Sequence, residues 1–125
     1  MSLELSVREM SGVSIVDVSG RLTLGDNPSE LRDMLRELAI GGHGKILLNL
    51  GDLSQLDSSG IGMLVSSFAT ITNLGGQLKL LNLNRRVRDL LLMTKLYSVF
   101  EVYEDEPAAM GSFIEPAVAA PTTPG

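Results

Sequence analysis

Asp57, Ser58 and Ser59 stand together behind an apolar run, directly ahead of Gly60, Ile61 and Gly62. Two chemistries fit these residue types in this order. Asp and Ser oxygens accept the unpaired N–H groups of a first helical turn, so one of them can cap a helix beginning near Gly60. A hydroxyl left over at such a place can also carry a phosphoryl group, which the helix N-terminus and its dipole favour. A cap needs one side chain, and three polar ones are present. The surplus makes the hydroxyls candidate working groups.

Other chemistries lack their parts. A hydrolase using Ser58 or Ser59 as nucleophile is a competing reading, but position 56 is Leu where a nucleophile elbow needs Gly. Its base would have to be His43, the one histidine of the chain, in a Gly-rich turn that reads as a solvated loop. "GGHGK" at 41–45 is no phosphate loop: position 39 is Ala, and Lys45 opens a strand where that motif opens a helix. Gly60 and Gly62 are followed by Val65, so no dinucleotide fingerprint forms. With no cysteine and one histidine, neither a disulfide nor a convincing transition-metal site is available. No cofactor is expected.

The whole-chain numbers narrow the classes further. At 125 residues there is room for one ordinary domain. A net charge of −5 argues against a nucleic-acid groove, which needs clustered Lys and Arg. Arg85, Arg86 and Arg88 form one short basic cluster and read as the solvated first turn of a helix. No apolar run approaches the ~20 residues of a membrane span, and the alternating N-terminus is unlike a signal peptide. A cytoplasmic protein without membrane insertion is the expectation.

The elements that must position the serines follow from period. Leu3, Leu5 and Val7 alternate with polar residues, Ser11-Gly12 turns the chain, and "VSIVDVSG" closes a hairpin. Asn27 and Pro28 open a helix whose stripe is Leu31, Met34, Leu35 and Leu38, stopped by Gly41-Gly42. "KILLNL" is a short strand buried on both faces, followed by a "GDLSQL" link to Asp57. Ile61, Leu64, Val65, Phe68 and Ile71 form the next helix, ended by Gly75-Gly76. "QLKLLNL" is a strand, "RRVRDLLLMTKL" a helix, "SVFEVYED" a last strand, and 104–114 one short helix. From Glu115 the tail is Pro, Ala and Thr and reads as disordered, which sets a domain at 1–114 and a tail at 115–125. Strand-helix-strand units require parallel pairing. The expected fold is α/β: a mixed, mostly parallel sheet with an antiparallel N-terminal edge hairpin, covered by helices.

The ordered segments also carry a resemblance. "ILLNLGDLSQLDSSGIGMLVSSFATITNLGGQLKLLNLNRRVRDLLLMTKL" and the earlier "VSGRLTLGDNPSELR" closely resemble the STAS domain of bacterial anti-sigma factor antagonists, from about Leu3 to Phe113. The resemblance implies a STAS fold and a non-enzymatic partner switch. Unphosphorylated members bind an anti-sigma factor, an ATP-binding serine kinase, and so release a sigma factor. Phosphorylation of the first serine after the aspartate, here Ser58, ends that binding, and a metal-dependent phosphatase of the PP2C type restores it. Asp57, Ser59, Gly60, Ile61 and Gly62 would then form the partner surface. Many members carry an acidic residue where this chain has Thr23. STAS domains also occur in stressosome scaffolds and lipid-transport complexes, so a subunit of a larger assembly is the alternative the resemblance allows.

Overall fold

A computed structural model describes residues 3–23, 25 and 29–113. The expected N-cap at Asn27, Pro28 and the expected tail from 115 lie outside the described residues. Strands β1 (Glu4–Met10) and β2 (Val13–Leu22) form the hairpin, turned by Ser11 and Gly12 at φ 52° and 80°. Two successive positive φ angles suit a tight hairpin turn, whose twist matches that of the strands. Helix α1 (Ser29–Ile40), strand β3 (Lys45–Leu56), helix α2 (Ser58–Asn73), strand β4 (Gln77–Leu81) and helix α3 (Arg85–Met93) follow. Strand β5 (Val102–Tyr103) and helix α4 (Glu106–Ser112) complete the order.

The five strands lie in the sheet in chain order, β1-β2-β3-β4-β5. The β1–β2 pair is antiparallel; the remaining pairs among the described residues are parallel. Alternation along the strands divides the core in two. Val16, Val18, Ile46, Leu48, Leu50 and Leu80 point to one face, where Leu31, Leu35, Leu64, Ile71, Val87 and Leu91 of α1–α3 cover them. Val13, Ile15, Leu47 and Leu81 point to the other, under Ala109 and Phe113 at the C-terminal end. Phe68 and Phe100 meet edge to face, ring centroids 5.3 Å apart.

Three boundaries differ most from the sequence-based expectation. The "GDLSQL" segment is no link: β3 runs on through it, because β2 keeps pairing as far as Arg21↔Gln55 and Leu22↔Leu56. Register shifts after Asp17 and Gly20 break the simple alternation, so Leu53 and Leu56, three apart, are both buried. Helix α3 stops at Met93 rather than Leu96. Lys95 takes φ 62° and the Leu96 N–H reaches back 2.9 Å to the Leu91 carbonyl, a left-handed stop made without glycine. The expected last strand at 98–105 shrinks to two residues, preceded by a 3-10 turn at Tyr97–Val99 that folds the chain back onto α3.

Candidate functional site

With β3 extended to Leu56, no loop separates strand from helix. Asp57 alone bridges them, in extended conformation at φ −122° and ψ −171°, and α2 starts at Ser58. Its carboxylate accepts the Gly60 N–H at 3.1 Å and its carbonyl accepts the Ile61 N–H at 2.9 Å. The cap is therefore filled by Asp57. Ser58, the first helical residue, is exposed, and no described residue takes its hydroxyl. Ser59 is half-buried.

Gly60 and Ile61 turn inward. Ile61 is 6% exposed and packs in the main core, so it supports the surface from beneath instead of presenting a side chain on it. Gly60 is buried where α2 crosses β2: a Cβ there would fall on the Leu22 carbonyl oxygen and 2.5 Å from Leu56 Cδ1. Only glycine permits that approach. Gly62 is exposed, and a Cβ added there would have nothing within 4 Å. Of the expected partner residues, Asp57, Ser59 and Gly62 thus reach the surface beside Ser58, while Gly60 and Ile61 hold the helix to it.

The start of α3 is tied to the same strand end. Asn84 caps α3 by accepting the Val87 N–H at 3.0 Å and donates its amide to the Leu53 carbonyl at 2.6 Å. Arg85 and Arg86 are exposed as expected of a solvated first turn. Arg88 is not simply solvated: it stacks 5.9 Å from the Tyr97 ring and lies 3.6 Å from Glu104. Leu56, two residues before Ser58, lines a groove together with α3.

His43 sits before β3 and Ser58 after it. Twelve residues of strand separate them, roughly 40 Å at ~3.3 Å per residue. His43 Nδ1 is instead 2.7 Å from Glu9. It cannot serve Ser58 as a base, and the hydrolase reading loses its last candidate.

Sequence reasoning missed a second polar cluster, on the α4 side of the sheet. Arg8 forks onto Asp17 at 2.7 and 3.1 Å and reaches Glu106 at 3.2 Å, and Asn49 donates to Asp17 at 2.8 Å. The Arg8 hydrogen bond, and then that of Asn49, hold the Asp17 carboxyl below the ordinary carboxylate range. Lys79 is buried at 6% exposure, donates to Ser112 at 3.0 Å and lies over the Phe113 ring at 4.6 Å. The two cations fasten the ends of α4. Arg8 read as the polar side of a half-buried strand, while Asn49 and Lys79 lie in runs read as core strands, so the sequence did not group them.

Among the described residues no helix is long and apolar enough to cross a membrane. The family model for the STAS domain matches residues 4–109. The anti-sigma F factor antagonist of Paenibacillus polymyxa is 30% identical over 112 residues, covering 88% of this chain and 94% of that protein. The solved Thermotoga maritima protein TM1081 superposes at a TM-score of 0.81 with 23% identity, over 89% of this chain and 95% of that one. Bacillus SpoIIAA in its phosphorylated form has the same fold at a TM-score of 0.67 and 19% identity, over 87% of this chain and 98% of that one. On its sequence match over nearly the whole described length, the chain belongs to the STAS domain family.

Proposed function

We propose that this chain is an anti-sigma factor antagonist switched at Ser58. Unphosphorylated, it binds an anti-sigma factor that is itself an ATP-binding serine kinase, and so frees a sigma factor. The kinase transfers the γ-phosphoryl of Mg-ATP to the Ser58 oxygen, releasing ADP and the hydroxyl proton, and the complex parts. A PP2C-type phosphatase hydrolyses the ester and resets the switch.

One observation carries this reading: Asp57 fills the helix cap, leaving the adjacent Ser58 hydroxyl exposed and without a structural task. The names of the relatives support it, and the existence of SpoIIAA in a phosphorylated form supports phosphorylation in this fold. A phosphate on Ser58 adds ~1.5–2 negative charges beside the first turn of α2, where the free domain tolerates them. Against a partner it meets desolvation and that partner's own anionic nucleotide. Like charges ~4 Å apart at an effective dielectric of ~20 repel by about 4 kcal/mol, enough for two to three orders in affinity.

The test is affinity capture with wild type, Ser58→Ala and Ser58→Asp, then calorimetric titration of the recovered ATP-binding protein. Ser58→Ala should bind and resist phosphorylation, and Ser58→Asp should bind weakly. Equal affinity of the phosphorylated and unphosphorylated forms would refute the switch.

A further inference from the structure

The Leu56–α3 groove is built from two elements. Buried Leu56, at the end of β3, and half-buried Leu90 of α3 form its floor; exposed Met93, Arg85, Arg86 and Asp89 form its rim. Arg86, Leu90 and Met93 are spaced four and three apart, so they make one stripe along α3, cationic at its start and apolar toward its end. Met93 is 78% exposed. Exposed Met93 continues half-buried Leu90 and buried Leu56 to the surface, and contiguous apolar surface marks a binding site more than isolated side chains do. Methionine is suited to it, because its flexible thioether adapts to a partner's shape.

The charges at the rim are available. The Arg85 side chain is 93% exposed and makes only a long, solvated i,i+4 ion pair with Asp89 at 3.9 Å. Arg85 and Arg86 stand beside one acidic residue of the groove, Asp89, in a chain whose net charge is −5. Leu56, which lines the groove with these arginines, is two residues from Ser58 along the chain. Asn84 anchors α3 there, binding the Leu53 carbonyl of the same strand. The stripe is rigidly placed, because Val87 and Leu91 on the opposite side of α3 are fully buried.

We propose that the Leu56–α3 groove is a docking surface for an amphipathic helical segment of the partner protein, one with an acidic flank. The proposal deepens the Ser58 switch and rests on that reading for the partner's identity. The occupant's chemistry follows from the groove. Apolar residues at i, i+3, i+4 and i+7 of the segment pack on Leu56, Leu90 and Met93, and carboxylates at one end pair with Arg85 and Arg86. The nine residues of α3 span ~13 Å, which matches two to three turns of a facing helix. The arginines steer the encounter and fix orientation; the apolar stripe supplies most of the affinity.

Two measurements test it. In the first, a 14-residue helical peptide with leucines at i, i+3, i+4 and i+7 and a glutamate flank is titrated into the labelled full chain. A peptide with lysines in place of the glutamates is the control. The Met93 and Leu90 methyl resonances should move with the acidic peptide and at least tenfold more weakly with the basic one. The Arg85→Glu/Arg86→Glu variant should reverse that preference. Shifts that map elsewhere, or a charge preference that does not reverse, overturn the proposal. Concentration-dependent shifts of Met93 without any peptide would assign the groove to a second copy of the chain, and also overturn it.

The second measurement titrates the ATP-binding protein whose capture depends on Ser58 against wild type, Met93→Asp and Arg85→Glu/Arg86→Glu. All three sites are exposed, so an unchanged circular dichroism spectrum and melting point are expected. Each variant should lose tenfold or more in affinity. Retained affinity in these variants, with Ser58→Asp still weakened, rejects the groove and leaves the switch standing. If binding does not depend on Ser58 at all, the switch fails, and the peptide titration alone decides the groove.

Discussion

Two glycines in the first turns of α2 should respond to the same substitution with opposite signs. In a helix Ala is favoured over Gly by ~0.5–1 kcal/mol. At Gly62 an added Cβ meets nothing within 4 Å, so Gly62→Ala should gain about that amount. At Gly60 the Cβ falls on the Leu22 carbonyl oxygen, 2.5 Å from Leu56 Cδ1 and 3.1 Å from Leu22 Cγ. The carbonyl belongs to a strand paired with Leu56, so it cannot move without shifting β2 or lifting α2. Overpacking typically costs ~1–3 kcal/mol, and backbone obstruction lies at the upper end; after the propensity gain a net loss of about 1–2 kcal/mol is expected. The two variants should therefore differ by roughly 2–3 kcal/mol, about 6–12 °C in Tm for a domain of this size. Urea denaturation and calorimetry on both proteins read this directly. Gly60→Ala as stable as wild type would refute the close packing of α2 on β2, and with it the mechanism that fixes Ser58 in place. Partner titration adds a second discrimination: Gly60→Ala acts by displacing the helix, whereas Gly62→Ala keeps the fold and puts a methyl on the surface beside Ser58.

Leu48 is fully buried in the middle of β3, and Leu48→Ala should cost ~2–5 kcal/mol, read as a fall in Tm and soluble yield. The Asp17 carboxyl, held low by Arg8, stabilises the fold above its unfolded pKa of ~3.9 and ceases to do so as pH falls through the folded value. Asp17→Asn should accordingly lose up to about 1 kcal/mol at pH 7, since the Arg8 pair is partly solvated, and the gap from wild type should close as the pH is lowered from ~5 toward 2. Lys79→Met removes both bonds to Ser112 while keeping the buried chain volume; about 1–3 kcal/mol should be lost, with faster amide exchange in α4 than in α2.

The helix and strand cores were legible because each side buries one face, which imposes a period: Leu31, Leu35 and Leu38 in α1, and the unbroken apolar run of β3, could have been little else. The Ser58 position was legible because a cap aspartate and glycines announce a helix start. What period cannot show is a broken register. The shifts opposite Gly20 hid six further residues of β3, since Leu53 and Leu56 then fit neither alternation nor a helix. The stop at Lys95 was hidden because a lysine occupies the left-handed position usually marked by glycine. At the site, the helical stripe already placed Ile61 with Leu64 and Phe68; the resemblance grouped it with Gly62 on the partner surface, and its burial follows the stripe. The groove on α3 was invisible for another reason: it needs Leu56, thirty residues upstream, and only tertiary packing brings that side chain to the arginines.

The sheet order repeats the chain order, and this bears on how the protein is made. Each strand leaving the ribosome can join the edge formed by the one before it, so the sheet grows outward with little searching. The α1–α3 face is completed along the way. The opposite face is not: Val13, Ile15 and Leu47 are in place early, yet their cover, Ala109 and Phe113, is translated near the end of the described chain. Closing that face joins Arg8 to Glu106 across 98 positions of sequence. A nascent chain halted before α4 therefore carries a finished α1–α3 face and an open greasy back, the state in which a chaperone or a protease would meet it.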